Sequence, residues 1–105
     1  MFLARVIGSV VATKKDAAMT GRKLLLLRPL VVDEASPDRL RPGSNTVVAV
    51  DALGAGAGEL VLFCQGSSAR QAAGMKTLPV DAVVIGIVDT VDVLGRRAYP
   101  PSAQR

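Results

Sequence analysis

The sequence predicts an all-β domain, a small β-barrel or sandwich of five or six short strands. Three observations support this fold class. Short aliphatic runs enriched in Val and Ile alternate with turns made of Gly, Pro, Ser, Asn and Asp. The runs recur at roughly the 8–12-residue spacing that is typical of small barrels and sandwiches. The length of 105 residues is that of one domain.

The predicted strands are five aliphatic runs, at residues 2–13, 23–32, 46–50, 59–64 and 83–93. The first contains Gly8, the second is interrupted by Pro29, and the last is broken by Gly86 and Asp89. The runs are continuous rather than alternating. We therefore expect both faces of the strands to be covered, one by the barrel core and the other by a neighbour.

Two segments do not follow the strand pattern. Residues 67–75 predict one short helix, with Ser67 or Ser68 as its N-cap and Gly74 at its end. Residues 96–105 include two consecutive prolines and predict a flexible or docked tail. The predicted domain organisation is therefore a barrel over residues 1–95 followed by a C-terminal tail over 96–105.

Composition excludes several kinds of site. The chain has no His, no Trp and one Cys, so a Ser-His-Asp triad, a His-ligated metal, a Cys₄ zinc site and an intrachain disulfide are all impossible. The three aromatic residues, Phe2, Phe63 and Tyr99, cannot form a stacking row for single-stranded nucleic acid. We expect no metal and no cofactor.

Half of the residues are hydrophobic, which is a large share for so small a chain. Because soluble monomers rarely expose large apolar patches, we expect part of this surface to be buried between subunits. The uncharged apolar runs are much shorter than the roughly 20 residues of a membrane span, and no signal peptide is apparent. The sequence predicts a cytoplasmic protein without a membrane partner and with Cys64 reduced.

The most conspicuous motif is the glycine-rich stretch at residues 54–59, Gly-Ala-Gly-Ala-Gly-Glu. It departs from the dinucleotide fingerprint G-x-G-x-x-G because the third glycine comes one position early and a strand follows instead of a helix. We interpret it as a tight loop of bare backbone in which no side chain fits. If subunits pack around an axis, such a loop could approach its copies and form the rim of a pore.

Other polar groups have structural interpretations. Ser67 and Ser68 lack a His base and have no S-x-x-K spacing, so a Ser-capped turn is favoured, with Arg70 in a structural or interface bond. Asp81 and Asp89 would share a face of one strand and could act as paired acids, but turn and strand-end roles are the favoured interpretation.

A basic cluster near the first hairpin leaves a second function open. It consists of Lys14, Lys15, Arg22 and Lys23, and with Arg70 it could bind nucleic acid on an oligonucleotide-binding type of barrel. The net charge of +4 is modest and the strands carry few aromatics, so solvated loops or contacts with a protein partner are favoured, and nucleic-acid binding is kept as the alternative.

Five blocks in order resemble a known family. They cover nearly the whole chain and lie at residues 5–14, 20–27, 48–59, 66–70 and 79–89. The chain resembles the pentameric vertex proteins of bacterial microcompartment shells, of the carboxysome and ethanolamine-utilisation type. This resemblance implies a five-stranded barrel related to the oligonucleotide-binding fold. It also implies a cyclic homopentamer that caps fivefold shell vertices among hexameric shell proteins, and no enzymatic activity.

The resemblance also suggests residue roles. Candidates for lining or approaching the central pore are Gly54, Ala55, Gly56, Ala57, Gly58, Glu59, Ser67 and Ser68. Arg70 and Asp81 are candidates for the subunit interface. The expected location is the microcompartment shell within the cytoplasm.

Overall fold

The computed structural model describes residues 1–13, 15–72, 75 and 80–101. The strands in this part of the chain are β1 (Phe2–Val10), β2 (Lys23–Val32), β3 (Leu40–Pro42), β4 (Val47–Asp51), β5 (Leu60–Gln65), β6 (Ala82–Ile87), β7 (Val91–Val93) and β8 (Arg96–Tyr99). Two short 3₁₀ segments lie at Ala17–Met19 and Gly66–Gln71.

Five of the strands close into a barrel. Their order is β1-β5-β6-β4-β2, and pairing of β1 with β2 completes the ring. Every neighbouring pair is antiparallel except β4 and β6, which run parallel and meet at Val50 and Val83. This closed mixed barrel confirms the predicted fold class.

The barrel interior is filled by alternate residues of the five strands. Ala4 and Val6 of β1 face inward, and so do Leu25 and Leu27 of β2. Phe63 of β5 is the largest buried side chain. The remaining members of this core are Ala49, Ala55, Val61, Ala82 and Val84. The small alanines leave room for the one aromatic ring.

A second apolar cluster lies outside the barrel. Val50 of β4 and Val83 of β6 face outward and pack with Ala69, Met75 and Val80. The expectation that both strand faces are covered therefore holds here, but the chain itself supplies this cover. The segment that follows β5 folds back over the β4–β6 seam.

Outer positions elsewhere on the barrel stay uncovered in the single chain. Large aliphatic side chains that are exposed include Ile7, Val31, Val32, Val48, Leu53 and Ile87. The exposed side chains therefore form apolar surface that another protein chain could cover. Within the described part of the chain, no helix is long and apolar enough to cross a membrane.

Two predicted elements were wrong in detail. In the run at 83–93 the predicted break at Asp89 is confirmed, because β6 ends at Ile87 and β7 begins at Val91, whereas the predicted break at Gly86 is wrong because Gly86 lies within β6. The predicted helix at 67–75 is a 3₁₀ segment at Gly66–Gln71. Its N-cap position is occupied by Gln65, whose side chain makes no capping hydrogen bond. Ser67 and Ser68 lie inside the segment, so neither is its N-cap. Gly74, the predicted helix end, lies outside the described residues.

The C-terminal region forms a small hairpin. Strands β7 and β8 pair antiparallel, and Arg97 Nε donates to Asp92 Oδ1 at 2.6 Å. The residue-95 boundary suggested by the sequence falls in the turn of this hairpin. Tyr99 lies against β1, with the Arg5 guanidinium 5.9 Å from its ring centroid. The segment after residue 95 therefore begins as a strand docked near the barrel.

Candidate functional site

The glycine-rich loop, defined as residues 52–59, is held at one barrel end by a buried carboxylate. Asp51 ends β4, and its side chain is 0% exposed. Its Oδ1 accepts from the Leu53 N–H at 2.9 Å, and its Oδ2 accepts from the Ala55 N–H at 2.8 Å. One side chain therefore satisfies two donors of the loop backbone and sets its direction after β4.

A lysine from the neighbouring strand completes this anchor. Lys23 Nζ lies 3.9 Å from Asp51 Oδ2 and donates to the Ala55 carbonyl at 3.0 Å. The buried carboxylate is thus accompanied by a cation and by hydrogen bonds, as a buried charge requires. Ala55 is fully buried in the barrel core, so neither its side chain nor its backbone contributes to the loop surface.

The second half of the loop is fixed to β1. The Gly58 N–H donates to the Val6 carbonyl at 2.8 Å, and the Val6 N–H donates to the Glu59 carbonyl at 2.9 Å. Arg5 Nη1 donates to the Gly58 carbonyl at 2.9 Å. The Gly56 N–H donates to Glu59 Oε1 at 2.6 Å. The loop is therefore a preformed, rigid surface feature.

Only some of its glycines are required by the backbone. Gly54 and Gly58 both have φ +87°, a conformation that costs other residues free energy. Gly56 has no such φ, and a Cβ added there would meet only Glu59 Oε1 at 3.6 Å. At Gly54 and Gly58 a side chain is disfavoured by the positive φ and not by lack of space. At Gly56 neither φ nor space excludes a side chain in the isolated subunit, so the interpretation that no side chain fits is wrong there.

The other pore and interface candidates lie elsewhere. Ser67, Ser68 and Arg70 belong to the 3₁₀ segment Gly66–Gln71, and their side chains lie outside what the structure describes. Asp81 is exposed, and its carbonyl accepts from the Gly66 N–H at 2.8 Å. The segments that carry the two interface candidates are therefore neighbours.

The two sets of pore candidates lie at opposite ends of one strand. The glycine-rich loop precedes β5 and the two serines follow it. A six-residue strand spans about 20 Å, so both sets could line one axis only if β5 runs along that axis. The structure does not gather them into one cluster.

The alternative functions receive little geometric support. Lys15 Nζ donates to the Ala12 carbonyl at 2.7 Å, and Lys23 belongs to the loop anchor, whereas Lys14 lies outside the described residues. Asp81 and Asp89 flank opposite ends of β6 rather than sharing one strand face, so they do not form paired acids. Among the residues described, no three His, Cys, Asp or Glu side chains group to hold a metal ion.

The sequence alone did not single out two residues that matter most for this geometry. Asp51 stands at the point where a strand meets a glycine-rich turn, and an Asp there is a known signal for side-chain capping of the following backbone. Arg5 gave no such signal because its bond to Gly58 joins residues 53 positions apart.

Together, the closed barrel, its uncovered aliphatic outer face and its rigid loop define a class of protein. They describe a small structural domain that presents preformed surfaces to other protein chains. Comparison with known proteins gives the family. Residues 1–89 match the family model "Ethanolamine utilisation protein EutN/carboxysome". The chain belongs to this family.

Its relatives are shell vertex proteins. The chain is 48% identical to the carboxysome shell vertex protein CcmL of Gloeobacter violaceus, over 99% of this chain and 98% of that protein. It is 45% identical to the microcompartment shell vertex protein GrpN of Rhodospirillum rubrum, over 90% of this chain and 99% of that one.

Solved structures show the same fold. The Gloeobacter violaceus CcmL structure superposes with a TM-score of 0.81 at 49% identity, covering 94% of this chain and 96% of that one. The GrpN structure, described as a pentameric microcompartment shell protein, gives a TM-score of 0.74 at 44% identity, covering 90% and 100%. The resemblance stated from the sequence is confirmed: this is a microcompartment shell vertex protein, a structural component and not an enzyme.

Proposed function

We propose that this chain assembles as a homopentamer that closes the fivefold vertices of a microcompartment shell by contacting hexameric shell proteins. The observation that carries the proposal is the near full-length match to shell vertex proteins, one of them described as pentameric. A fivefold unit set among sixfold units introduces the curvature that a closed shell needs. A flat layer of hexamers cannot supply it.

The surface of the single chain supports a ring. Exposed aliphatic side chains lie on several strands, including Ile7 on β1, Val48 on β4 and Ile87 on β6. In a cyclic ring each subunit uses two different faces, so apolar positions on separate parts of the barrel become buried together. The glycine-rich loop is tied to the barrel by hydrogen bonds within the subunit, so its attachment does not depend on assembly.

We assign the glycine-rich loop to the neighbourhood of the ring axis. Gly54, Ala57 and Gly58 are exposed, and the loop is tied to the barrel through Asp51 and Arg5. A rigid loop with little side-chain volume allows close approach of symmetry-related copies. Gly56 is the most informative position, because its own subunit has room for a Cβ.

Arg70 and Asp81 are proposed to stabilise contacts between subunits. The exposed Asp81 lies beside the segment that carries Arg70, because the Gly66 N–H donates to the Asp81 carbonyl. A guanidinium and a carboxylate contributed by different subunits would form a charge-assisted bond. Replacing Asp81 by Asn should weaken the ring without unfolding the subunit, which native mass spectrometry and circular dichroism would separate.

Native mass spectrometry of the purified protein tests the assembly. The expected species has about five times the 10.9 kDa subunit mass. A monomer at all concentrations would contradict the proposal, and a gel shift with nucleic acid at low salt would then become the next measurement. Mixing the protein with hexameric shell proteins should yield closed shells in electron micrographs, whereas hexamers alone should yield open sheets or tubes.

A further inference from the structure

Two arginines face each other on the outside of the barrel. Arg5 of β1 and Arg28 of β2 are directly opposite in the antiparallel register. Their neighbours Ala4, Val6 and Leu27 point into the barrel core, so both arginine side chains lie on the outer face. Both residues are half-buried. Directly opposed side chains have Cβ atoms about 5 Å apart, so the two arginine side chains leave neighbouring strands at nearly the same place on the outer face.

The positive charge of this pair is not balanced within the described part of the chain. The ion pairs there join Lys23 to Asp51, Arg41 to Asp33 and Arg97 to Asp92. Neither arginine of the β1–β2 pair takes part in them.

The two guanidiniums differ in how they are held. Arg5 donates one N–H to the Gly58 carbonyl and lies over the Tyr99 ring. Arg28 Nε is buried and has no hydrogen-bond partner among the described residues. One arginine is therefore oriented by the glycine-rich loop and the C-terminal hairpin, while the other keeps a buried donor unused.

The opposed arginines lower the folding stability of the isolated chain. Like charges directly opposite on neighbouring strands repel each other, and the buried Nε of Arg28 has lost its water without gaining a described acceptor. Buried donors in folded proteins are nearly always paired, so an unpaired one calls for a water, an ion or a partner atom as acceptor. An oxyanion is the matching chemistry, because the planar guanidinium fork binds carboxylate and phosphate oxygens in pairs.

We propose that Arg5 and Arg28 form an oxyanion-binding site on the outer face of the β1–β2 pair. Two sources can supply the oxyanion. A carboxylate side chain of a neighbouring copy is one, and this source rests on the ring proposed above. A free small oxyanion such as phosphate is the other, and it does not depend on the ring.

The test compares three variants with the wild-type chain. Arg28→Gln removes the charge and the fork, and Arg28→Lys keeps the charge but not the fork. Arg39→Gln is the matched control, because Arg39 is exposed and its side chain makes no hydrogen bond or ion pair with the described residues. Two measurements are made on each protein. One is the melting temperature against inorganic phosphate at constant ionic strength, and the other is the concentration at which the oligomer dissociates in native mass spectrometry.

For a free oxyanion, phosphate should raise the melting temperature of the wild type saturably. Arg28→Gln should weaken the apparent phosphate affinity about tenfold or more, the value expected for a lost charge-assisted hydrogen bond. The phosphate affinity of Arg28→Lys should lie between those of the wild type and Arg28→Gln. That of Arg39→Gln should match the wild type. For a carboxylate from a neighbouring copy, phosphate should have no specific effect, and the Arg28→Gln oligomer should dissociate at a concentration about tenfold higher or more.

The proposal is overturned if Arg28→Gln matches Arg39→Gln in both measurements. If phosphate acts equally on all proteins, it is an adventitious ion only, and the proposal is then overturned unless the Arg28→Gln oligomer alone dissociates at a higher concentration. Without a ligand, removing one of two opposed charges should leave the melting temperature unchanged or higher. If the wild type is a monomer, the vertex proposal fails, while the phosphate titration still decides whether the site exists.

Discussion

Removal of the Asp51 carboxylate should destabilise the subunit more than any other single polar change in the described loops. Asp51→Ala leaves two backbone donors, on Leu53 and Ala55, without an acceptor. A buried donor left unpaired costs about 1–3 kcal/mol, with the smaller value for a donor that water can reach. The Ala55 N–H is buried and the Leu53 N–H is partly buried. The expected loss is therefore about 2–4 kcal/mol.

That loss should lower the melting temperature by about 10–25 °C for a domain of this size. Asp51→Asn keeps one carbonyl acceptor but places an NH₂ group against the other donor, so about half of the loss should remain. The assay is thermal and urea unfolding followed by circular dichroism at fixed protein concentration, because assembly shifts the apparent stability.

Asp16 provides the matched control for this prediction. Its carboxylate accepts from the Ala18 N–H at 2.9 Å, also two residues ahead, but on an exposed 3₁₀ turn. Water can replace that bond, so Asp16→Ala should cost about 1 kcal/mol or less. If Asp51→Ala loses no more stability than Asp16→Ala, the view that this carboxylate anchors the loop is refuted.

Five further substitutions probe the loop, the barrel core and the surface. Gly58→Ala should destabilise the subunit by about 1–2 kcal/mol because of its positive φ, whereas Gly56→Ala should melt like the wild type, as seen by thermal unfolding. Gly56→Leu should fold but hinder ring closure in native mass spectrometry, and a normal ring would contradict our placement of the loop. Phe63→Ala should cost about 3–5 kcal/mol in urea unfolding, because the ring is the largest side chain of the core. Arg97→Ala breaks an exposed ion pair and should change the unfolding free energy by less than about 1 kcal/mol, and a larger loss would mean that the C-terminal hairpin supports the barrel.

The strands that sequence predicts well are those with long aliphatic runs. The prediction for β2 matches its observed bounds, Lys23–Val32, even though Pro29 interrupts the run. Strand pairing continues at Pro29 because its carbonyl accepts from the Gly43 N–H at 2.8 Å, although Pro29 has no N–H to donate. Strands β3 and β8 were missed because each is short and rich in charged residues or proline. Their pairing depends on distant strands rather than on a local pattern.

The presence of a tight glycine-rich loop could be predicted from the sequence, but the contacts that hold it to the barrel could not. The glycine content of residues 54–58 indicated a tight loop, and positive φ at Gly54 and Gly58 agrees with that prediction. The sequence contained no sign that Ala55 points into the barrel or that Arg5 holds Gly58. Both facts depend on barrel closure, which brings β1 beside β5 only in the folded chain. The roles proposed for the pore and interface residues stay predictions.

Closure of the barrel through β1 has a consequence for how the chain is made. During synthesis β1 emerges first, and β2 can pair with one of its edges soon afterwards. The other edge of β1 stays unpaired until β5, Leu60–Gln65, has been synthesised, more than half the chain later. An unpaired strand edge with aliphatic side chains is a site of non-native pairing. Chains interrupted before β5 are therefore expected to aggregate rather than remain as half-barrels, and the barrel closes only after β6, Ala82–Ile87, has paired with both β5 and β4.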